Sequence, residues 1–293
     1  MTATAEEIAS QPDTWAEALT LTAHAARTLP AYGESVALIG CGTSFFVAES
    51  VARTREAHGN GRTDAVVASE FSSGGRGYDR VVAISRSGTT TEVVRALEAL
   101  PPSLPSVAIS AVEDSPVVRA AGTSLVLAFA DERSVVQTRF ATTSILLLRA
   151  HEGADVDAAL ADAAIAVSAP LPVVPADFGH FVFLGTGWTI GLADEAALKM
   201  REASLSWSES YPAMEYRHGP ISLAGPGTLL WMLGVHDPAL ARDVGATGAT
   251  VVGGKMDPLA ELILVQRLVV DLAEAKGLDP DHPRHLTRSV VLS

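Results

Sequence analysis

VAISRSGTTTE, residues 82–92, is the stretch of sequence that decides the fold. An apolar run at residues 81–84 predicts a buried strand, and the apolar positions of residues 92–100 predict a helix. The tight turn between them consists of Ser85, Arg86, Ser87, Gly88, Thr89 and Thr90. A strand, a Gly-containing hydroxyl loop and a helix N-terminus form an anion site, because the first-turn N–H groups have no intrahelical partner. We therefore expect a phosphate monoester here, although an ordinary helix cap uses the same residue types.

The composition narrows the class of protein. The chain has 293 residues, enough for two domains of ordinary size, and a net charge of −13 with His neutral. Nucleic acid is not an expected partner, because a phosphate backbone needs a basic face. Cys41 is the single cysteine, so no intrachain disulfide is expected. We see neither a signal peptide nor an apolar stretch of membrane-spanning length, and we expect a cytoplasmic protein with no membrane partner.

Short apolar runs alternate with helical patterns along the chain. In the first half they predict strands at residues 35–39, 66–68, 81–84, 106–109 and 124–128. A Pro-rich linker candidate follows at 169–175, and the pattern then restarts with a strand at 181–184. Weaker strand signals lie near 229–233 and 250–252, before a long apolar-faced helix at 258–275. This alternation predicts an α/β fold built from parallel βαβ units.

The two halves share a repeat at an offset of 145 residues. The glycine pair Gly40 and Gly42 maps onto Gly185 and Gly187, and ASEF at 68–71 maps onto AMEY at 213–216. We therefore predict two tandem domains, each a parallel β-sheet flanked by helices in an α/β/α sandwich. Their predicted bounds are residues 1–168, with the phosphate loop, and residues 176–293, a shortened second copy. The hydroxyl loop would map onto LWMLGV at 230–235, so we expect one phosphate site per chain.

The first glycine loop, IGCGTS at 39–44, ends in the hydroxyl residues Thr43 and Ser44. It lacks the third glycine of a dinucleotide fingerprint, so a nicotinamide cofactor is disfavoured. No metal-ligand set is evident either, and we predict neither a cofactor nor a metal. Two hydroxyl-tipped loops on neighbouring strands fit a sugar phosphate better, bound at the carboxyl ends of the strands.

Candidate acid–base groups lie in the second half of the chain. Lys199 and Glu202 are three residues apart, hence on one face of a predicted helix, although a surface ion pair has the same spacing. His218 stands in the turn-forming sequence YRHGP. Imidazole titrates near neutrality and suits proton transfer to a sugar ring oxygen, but a lone His is more often structural.

Taken together, these residues resemble the sugar isomerase (SIS) family. More narrowly, they resemble the isomerase half of glucosamine-6-phosphate synthase and the related sugar-phosphate deglycases and aminosugar-phosphate deaminases. The stretches that carry the resemblance are IGCGTS, ASEF, ISRSGTTTE, QTRFATT, LGTGWTIGLADEAALKMREAS, EYRHGP and DHPRHLTRSV. It implies a pair of SIS domains, usually in a homodimer with shared active sites. The implied phosphate groove consists of Thr43, Ser44, Ser85, Arg86, Ser87 and Thr90.

The resemblance also implies individual roles. It places the proton shuttle between C1 and C2 on Glu202, with Lys199 beside it. The ring-opening imidazole falls on His218, which in the family reaches into the site of the partner subunit. The sugar groove would be lined by Val135, Thr138 and Arg288.

The sequence departs from the family pattern in two respects. Arg288 stands where the synthase has a lysine that forms a Schiff base, and arginine stays protonated and cannot form an imine. No N-terminal glutaminase domain with its nucleophilic cysteine is evident, so we expect no glutamine-derived ammonia.

The sequence thus predicts an enzyme of carbohydrate metabolism that acts on a ketose or aminosugar 6-phosphate. The expected reaction is aldose–ketose isomerisation, with or without coupled deamination or deglycation. The alternative is a regulatory protein that binds a sugar phosphate without turnover, which Arg288 in place of lysine favours. The presence of Glu202 and His218 favours the enzyme, because a passive binder does not need that acid–base pair.

Overall fold

The computed structural model describes residues 2–292, and two parallel β-sheets form its framework. The strands of the first half are β1 (Val36–Gly40), β2 (Thr63–Val67), β3 (Arg80–Ile84), β4 (Ser106–Ser110) and β5 (Thr123–Val126). Those of the second half are β6 (His180–Gly185), β7 (Trp207–Pro212), β8 (Thr228–Leu233) and β9 (Thr250–Gly253). The strand orders are β2-β1-β3-β4-β5 and β7-β6-β8-β9.

Helices flank both sheets. They are α1 (Ala3–Ala9), α2 (Gln11–Thr20), α3 (Thr22–Thr28), α4 (Thr43–Ala57), α5 (Thr91–Glu98), α6 (Pro116–Ala120), α7 (Arg139–His151), α8 (Asp157–Ala166), α9 (Thr189–Ser204), α10 (Pro238–Gly245) and α11 (Pro258–Ala275). Across residues 2–292, none of them combines the length and apolarity needed to cross a bilayer.

The central strands are buried along their whole length, as in β1 and β4. Strands of a parallel sheet are covered on both faces, so their sequences read as continuous apolar runs. This is why the apolar runs predicted most of the strands to within a few residues. The predicted α/β fold with parallel sheets flanked by helices is confirmed.

The two halves meet where α4 packs against α9. Gly191 allows the close approach, since a Cβ at this position would lie 2.4 Å from the hydroxyl oxygen of Ser50 and 2.5 Å from the carbonyl oxygen of Phe46. The start of α4 carries Thr43 and the end of α9 carries Glu202. Packing between the halves therefore brings residues from both to one place.

Two features of the second sheet differ from the sequence predictions. Strand β7 was not predicted, because its sequence, WSESYP, contains no apolar run; it lies at the edge of its sheet. The hydroxyl loop does not map onto 230–235, because most of that stretch is strand β8 and the following loop begins at Gly234. The repeat register therefore shifts by several residues between β7 and β8. A tandem of two copies of one domain stays a prediction.

Candidate active site

The loops that follow β1 and β3 lie side by side at the point where the strand order of the first sheet reverses. Strand β1 pairs with β2 on one side and with β3 on the other. In open α/β sheets, ligands bind outside the carboxyl ends of the strands at such a point. A pocket of about 170 Å³ opens here, and its lining includes Thr43, Thr90, Lys199 and Glu202. A larger cavity, of about 610 Å³, lies beside β8 and β9 and contains none of the predicted site residues.

The hydroxyl loop holds its own shape through short-range hydrogen bonds. The Gly88 N–H donates to the Ser85 hydroxyl across 3.2 Å, and the Thr89 hydroxyl donates to the Ser87 hydroxyl across 3.1 Å. Gly88 has a φ of +65°, and a Cβ there would lie 2.0 Å from the Ser115 hydroxyl oxygen, so the turn requires glycine.

Of the predicted phosphate-groove hydroxyls, Thr43 and Thr90 line the pocket. Thr90 is the N-cap residue of α5, and its side chain makes no capping bond with the described residues. Its hydroxyl and the first turn of α5 therefore suit an anion. Ser44, Ser85 and Ser87 are buried, and none of them is part of the pocket lining.

The Arg86 side chain is buried beside the pocket. Its guanidinium is 1% exposed and donates to the carbonyl oxygens of Ser134 at 2.9 Å and Arg288 at 3.0 Å. It also lies 3.4 Å from the carboxylate of Glu132, which is fully buried. The guanidinium is thus engaged by protein groups, and a part for Arg86 in phosphate binding stays a prediction.

Lys199 is the centre of a polar cluster in the pocket lining. Its ammonium donates to the Glu202 carboxylate across 2.6 Å and to the Thr43 hydroxyl across 3.0 Å, and lies 3.4 Å from the Glu195 carboxylate. Lys199 and Glu195 are each 1% exposed, whereas the Glu202 side chain is 20% exposed. Lys199 and Glu202 therefore form an ion pair in which the lysine is buried and the carboxylate lines the pocket.

Burial and charge shift the titration of this cluster. Burial raises the pKa of Glu195 to about 7, against the opposing effect of the Lys199 ammonium. Burial alone would lower the pKa of Lys199, but the carboxylates of Glu195 and Glu202 outweigh it and raise that pKa above its ordinary value. Lys199 is therefore a cation at neutral pH. Sequence reasoning missed Glu195, although its position four residues before Lys199 places it on the same helix face.

Of the residues around position 135–138, Val135 and Gln137 line the pocket, whereas Thr138 does not. Thr138 is 1% exposed, and its N–H and hydroxyl both donate to Glu132, at 2.5 and 2.9 Å. Thr138 is therefore not part of the pocket lining, and its predicted contact with a sugar stays a prediction. The Gln137 side-chain oxygen is buried and has no hydrogen-bond partner among residues 2–292.

Residues 286–290 close one side of the pocket. Arg288 belongs to this lining as predicted, but its guanidinium binds the Asp131 carboxylate and the Glu132 carbonyl oxygen. Its backbone carbonyl in turn accepts the hydrogen bond from Arg86. Both arginines of the predicted site are therefore engaged with protein groups.

The part of the chain that carries the hydroxyl loop matches a known protein family. Residues 33–150 match the family model described as SIS domain. This segment, called the SIS segment below, is therefore similar to a SIS domain. It contains β1 to β5, α4 and α7, and it ends before α9. Lys199 and Glu202 thus reach the pocket from outside the SIS segment, and a second SIS domain at residues 176–293 stays a prediction.

Sequence relatives extend beyond the SIS segment. A glutamine–fructose-6-phosphate aminotransferase (isomerizing) from Methanothermobacter thermautotrophicus is 28% identical over an alignment that covers 88% of this chain and 52% of the relative. One from Pseudomonas aeruginosa is also 28% identical, with the same coverage. The chain therefore spans about half the length of these curated relatives.

Solved structures extend the likeness to the whole chain. Glucosamine-6-phosphate deaminase from Thermotoga maritima is 27% identical, with a TM-score of 0.83 and coverage of 99% of this chain and 100% of that one. Tagatose-6-phosphate ketose/aldose isomerase from Escherichia coli has a TM-score of 0.81 at 21% identity, covering 100% and 96% of the two chains, and shows the fold alone.

His218 is the one predicted catalytic residue that the chain does not bring to the pocket beside the SIS segment. It ends the turn Ala213–His218 that follows β7 and is exposed. Three large apolar side chains on β7 and the following turns are exposed as well: Trp207 at 84%, Met214 at 59% and Leu223 at 65%. One copy of the chain therefore presents Glu202 and Lys199 in a pocket, and His218 on its surface.

Proposed function

We propose that this chain is an enzyme that acts on a ketose or aminosugar 6-phosphate and interconverts its ketose and aldose forms, with or without loss of an amine. The observation that carries the proposal is the Glu202 carboxylate, held by buried Lys199 in a pocket between two hydroxyl-bearing helix N-termini. The similarity to proteins named as an isomerizing glutamine–fructose-6-phosphate aminotransferase and a glucosamine-6-phosphate deaminase supports it.

The phosphate would bind at the switch point of the first sheet. Thr43 and Thr90 offer hydroxyl donors, and the first turns of α4 and α5 offer N–H groups. Ser85 and Ser87 would act by shaping the turn, since both are buried within it. An uncharged donor set of this kind binds an anion even in an acidic protein.

The proton transfer would use Glu202. A carboxylate within reach of both C1 and C2 removes a proton from one carbon and returns it to the other through an enediol. The adjacent Lys199 ammonium would stabilise the negative charge that develops on the sugar oxygens. Because the carboxylates raise the pKa of Lys199, this side chain serves as a cation and not as a base.

Ring opening would require a second copy of the chain. His218 is exposed and lies outside the pocket of its own chain, so we propose a homodimer in which it enters the partner's pocket. The exposed Trp207, Met214 and Leu223 near it in sequence support an interface on this side of the molecule, because large apolar side chains are normally covered.

The function is tested by incubation with 6-phosphorylated ketoses, aminosugars and fructosyl-amino acids, scored for aldose, ammonia and amino acid release. Exchange of the C1 and C2 protons with D₂O is followed by NMR for the wild type, Glu202→Gln and a control, Glu209→Gln, on β7. We expect exchange in the wild type and control and a loss of at least about 100-fold in Glu202→Gln. Unchanged exchange in Glu202→Gln would refute its role.

The same panel tests the regulatory alternative. A sugar phosphate that raises the unfolding temperature but yields no product after long incubation would favour a binding protein without turnover. Any product that depends on the protein excludes that alternative.

A further inference from the structure

We propose that Arg86 and Arg288 form a reciprocal clasp that holds residues 286–292, the closing segment, against the hydroxyl loop and thereby positions the phosphate-binding end of the pocket. Arg86 and Arg288 are thus positioning residues. The inference rests on the proposed function only for its kinetic test, because the hydrogen bonds of the clasp are formed in the protein without a substrate.

Arg86 ties three separate segments together. Its guanidinium donates to the carbonyl oxygen of Arg288 in the closing segment at 3.0 Å, and to the carbonyl oxygens of Ser134 and Val135 at 2.9 and 3.3 Å. Arg86 itself belongs to the hydroxyl loop. A guanidinium suits this task because it presents five N–H donors in a fixed plane.

Arg288 makes the reverse connection. Its guanidinium binds the Asp131 carboxylate and the carbonyl oxygen of Glu132, while its own carbonyl receives the Arg86 bond. The Glu132 carboxylate completes the link, 3.4 Å from Arg86. Glu132 also accepts from the N–H groups of Thr138 and Arg139, so its position is fixed by the start of α7. A lysine at position 288 could supply the charge but not the planar pair of donors.

The clasp matters to the pocket because the closing segment bonds directly to the hydroxyl loop. The Thr89 and Ser289 hydroxyl oxygens lie 2.7 Å apart. The Thr91 N–H, in the first turn of α5, donates to the Val290 carbonyl across 3.2 Å, and the Leu292 N–H donates to the Thr91 hydroxyl across 2.9 Å. The position of this segment therefore decides which first-turn donors of α5 remain for an anion beside Thr90.

The residues of the clasp should be energetically coupled to one another, because the ion pair at its centre is buried. The Arg86 and Glu132 side chains are 1% and 0% exposed. Removing one member of a buried pair leaves the other charge unpaired, so a change at Arg86 is transmitted to the segments that it holds. The Arg288 side chain is 37% exposed, and its removal releases the closing segment with less cost to the core.

Hydrogen exchange of residues 286–292 in the protein without substrate tests the clasp. We expect exchange to accelerate at least about 10-fold in Arg288→Ala and in Arg86→Gln. The matched control is Arg55→Gln, because Arg55 is also 1% exposed, bonds to the carbonyl oxygens of Ala31 and Asn60, and lies outside this pocket. If exchange is unchanged in Arg288→Ala, or rises equally in Arg55→Gln, the clasp is refuted.

The kinetic readout separates positioning from general stability. With a sugar phosphate that the wild type converts, Arg288→Ala should raise KM about 10-fold and leave kcat within about 3-fold, because the phosphate end is disturbed and the Glu202 end is not. A fall in kcat with unchanged KM contradicts the positioning role. If no substrate is converted by the wild type, the proposed function fails while the exchange experiment still decides the clasp.

Discussion

Lys199 and Glu202, three residues apart on α9, form an ion pair of 2.6 Å in which the lysine is buried and the carboxylate is partly exposed. The same spacing on a solvated helix contributes a few tenths of a kcal/mol and carries no function. Here Thr43 from α4 accepts a second hydrogen bond from Lys199 across 3.0 Å. Packing between the two halves thus turns an ordinary helix pair into a candidate acid–base centre.

Glu195 makes the stability of the protein depend on pH. Burial raises its pKa from 4.5 to about 7, so between these values the folded state binds more protons than the unfolded state. Its contribution is fully present below about pH 4.5 and is lost as the pH rises to about 7, at no more than about 1.4 kcal/mol per pH unit. Urea unfolding at pH 5 and pH 7.5 should show a smaller difference in Glu195→Gln than in the wild type. An equal difference in both proteins contradicts the assignment.

Thr90 should contribute to recognition of the phosphate group. Thr90→Val keeps the shape of the N-cap residue but removes the hydroxyl that lines the pocket, so KM for a phosphorylated substrate should rise about 10-fold, as for loss of a hydrogen bond to a charged group. Steady-state kinetics with and without competing inorganic phosphate measure this. Thr20→Val, at an exposed position of α2, is the control. An equal KM in Thr90→Val and the wild type would remove Thr90 from the site.

The contact between α4 and α9 should not tolerate a larger residue at Gly191. In Gly191→Ala the added carbon would meet the Phe46 carbonyl oxygen at 2.5 Å, and a backbone atom cannot move aside alone. We expect a loss of about 1–3 kcal/mol of unfolding free energy, despite the better helix propensity of Ala. Gly179→Ala is the control, because no atom lies within 4 Å of the added carbon there. Denaturant unfolding compares the two, and equal stability would show that the helices can separate freely.

A shared active site should show complementation between inactive variants. If His218 enters the partner's pocket, Glu202→Gln mixed with His218→Asn yields hybrid dimers in which one of the two sites is intact. Random mixing after mild unfolding and refolding should then restore about a quarter of the wild-type activity. Sedimentation of the wild type should show a dimer. A monomeric active enzyme, or no recovery in hybrids of confirmed composition, would contradict the shared site.

The strands were predictable where their sequence contains an apolar run, and β7 was missed because it has none. β1 and β3 appear in the sequence as apolar runs, because a buried parallel strand has no polar face. β7 reads WSESYP and shows no such run, because an edge strand with partly exposed residues is not required to be apolar. The 145-residue offset that relates 68–71 to 213–216 also places β2 on β7. This correspondence was not used to predict β7 as a strand.

Some site residues could also be predicted from the local sequence, whereas others depend on distant partners. The hydroxyl loop, Lys199 and Glu202 could be named from motif and spacing, since each depends on chemistry within a few residues of chain. Arg86 and Thr138 were assigned to ligand contacts, but both are bound by Glu132, which is distant from Arg86 in sequence. Gln137 lines the pocket where Thr138 was expected, because the Thr138 N–H and hydroxyl both bond to Glu132.

By itself, the sequence determined the α/β class, the strand, loop and helix around residues 82–92, and the spacing of Lys199 and Glu202, because these depend on local periodicity and turn chemistry. Only the tertiary structure decided which polar groups are buried together. Contacts such as Thr43 with Lys199 and Arg86 with Arg288 join residues more than a hundred positions apart, so they depend on packing that no local pattern encodes.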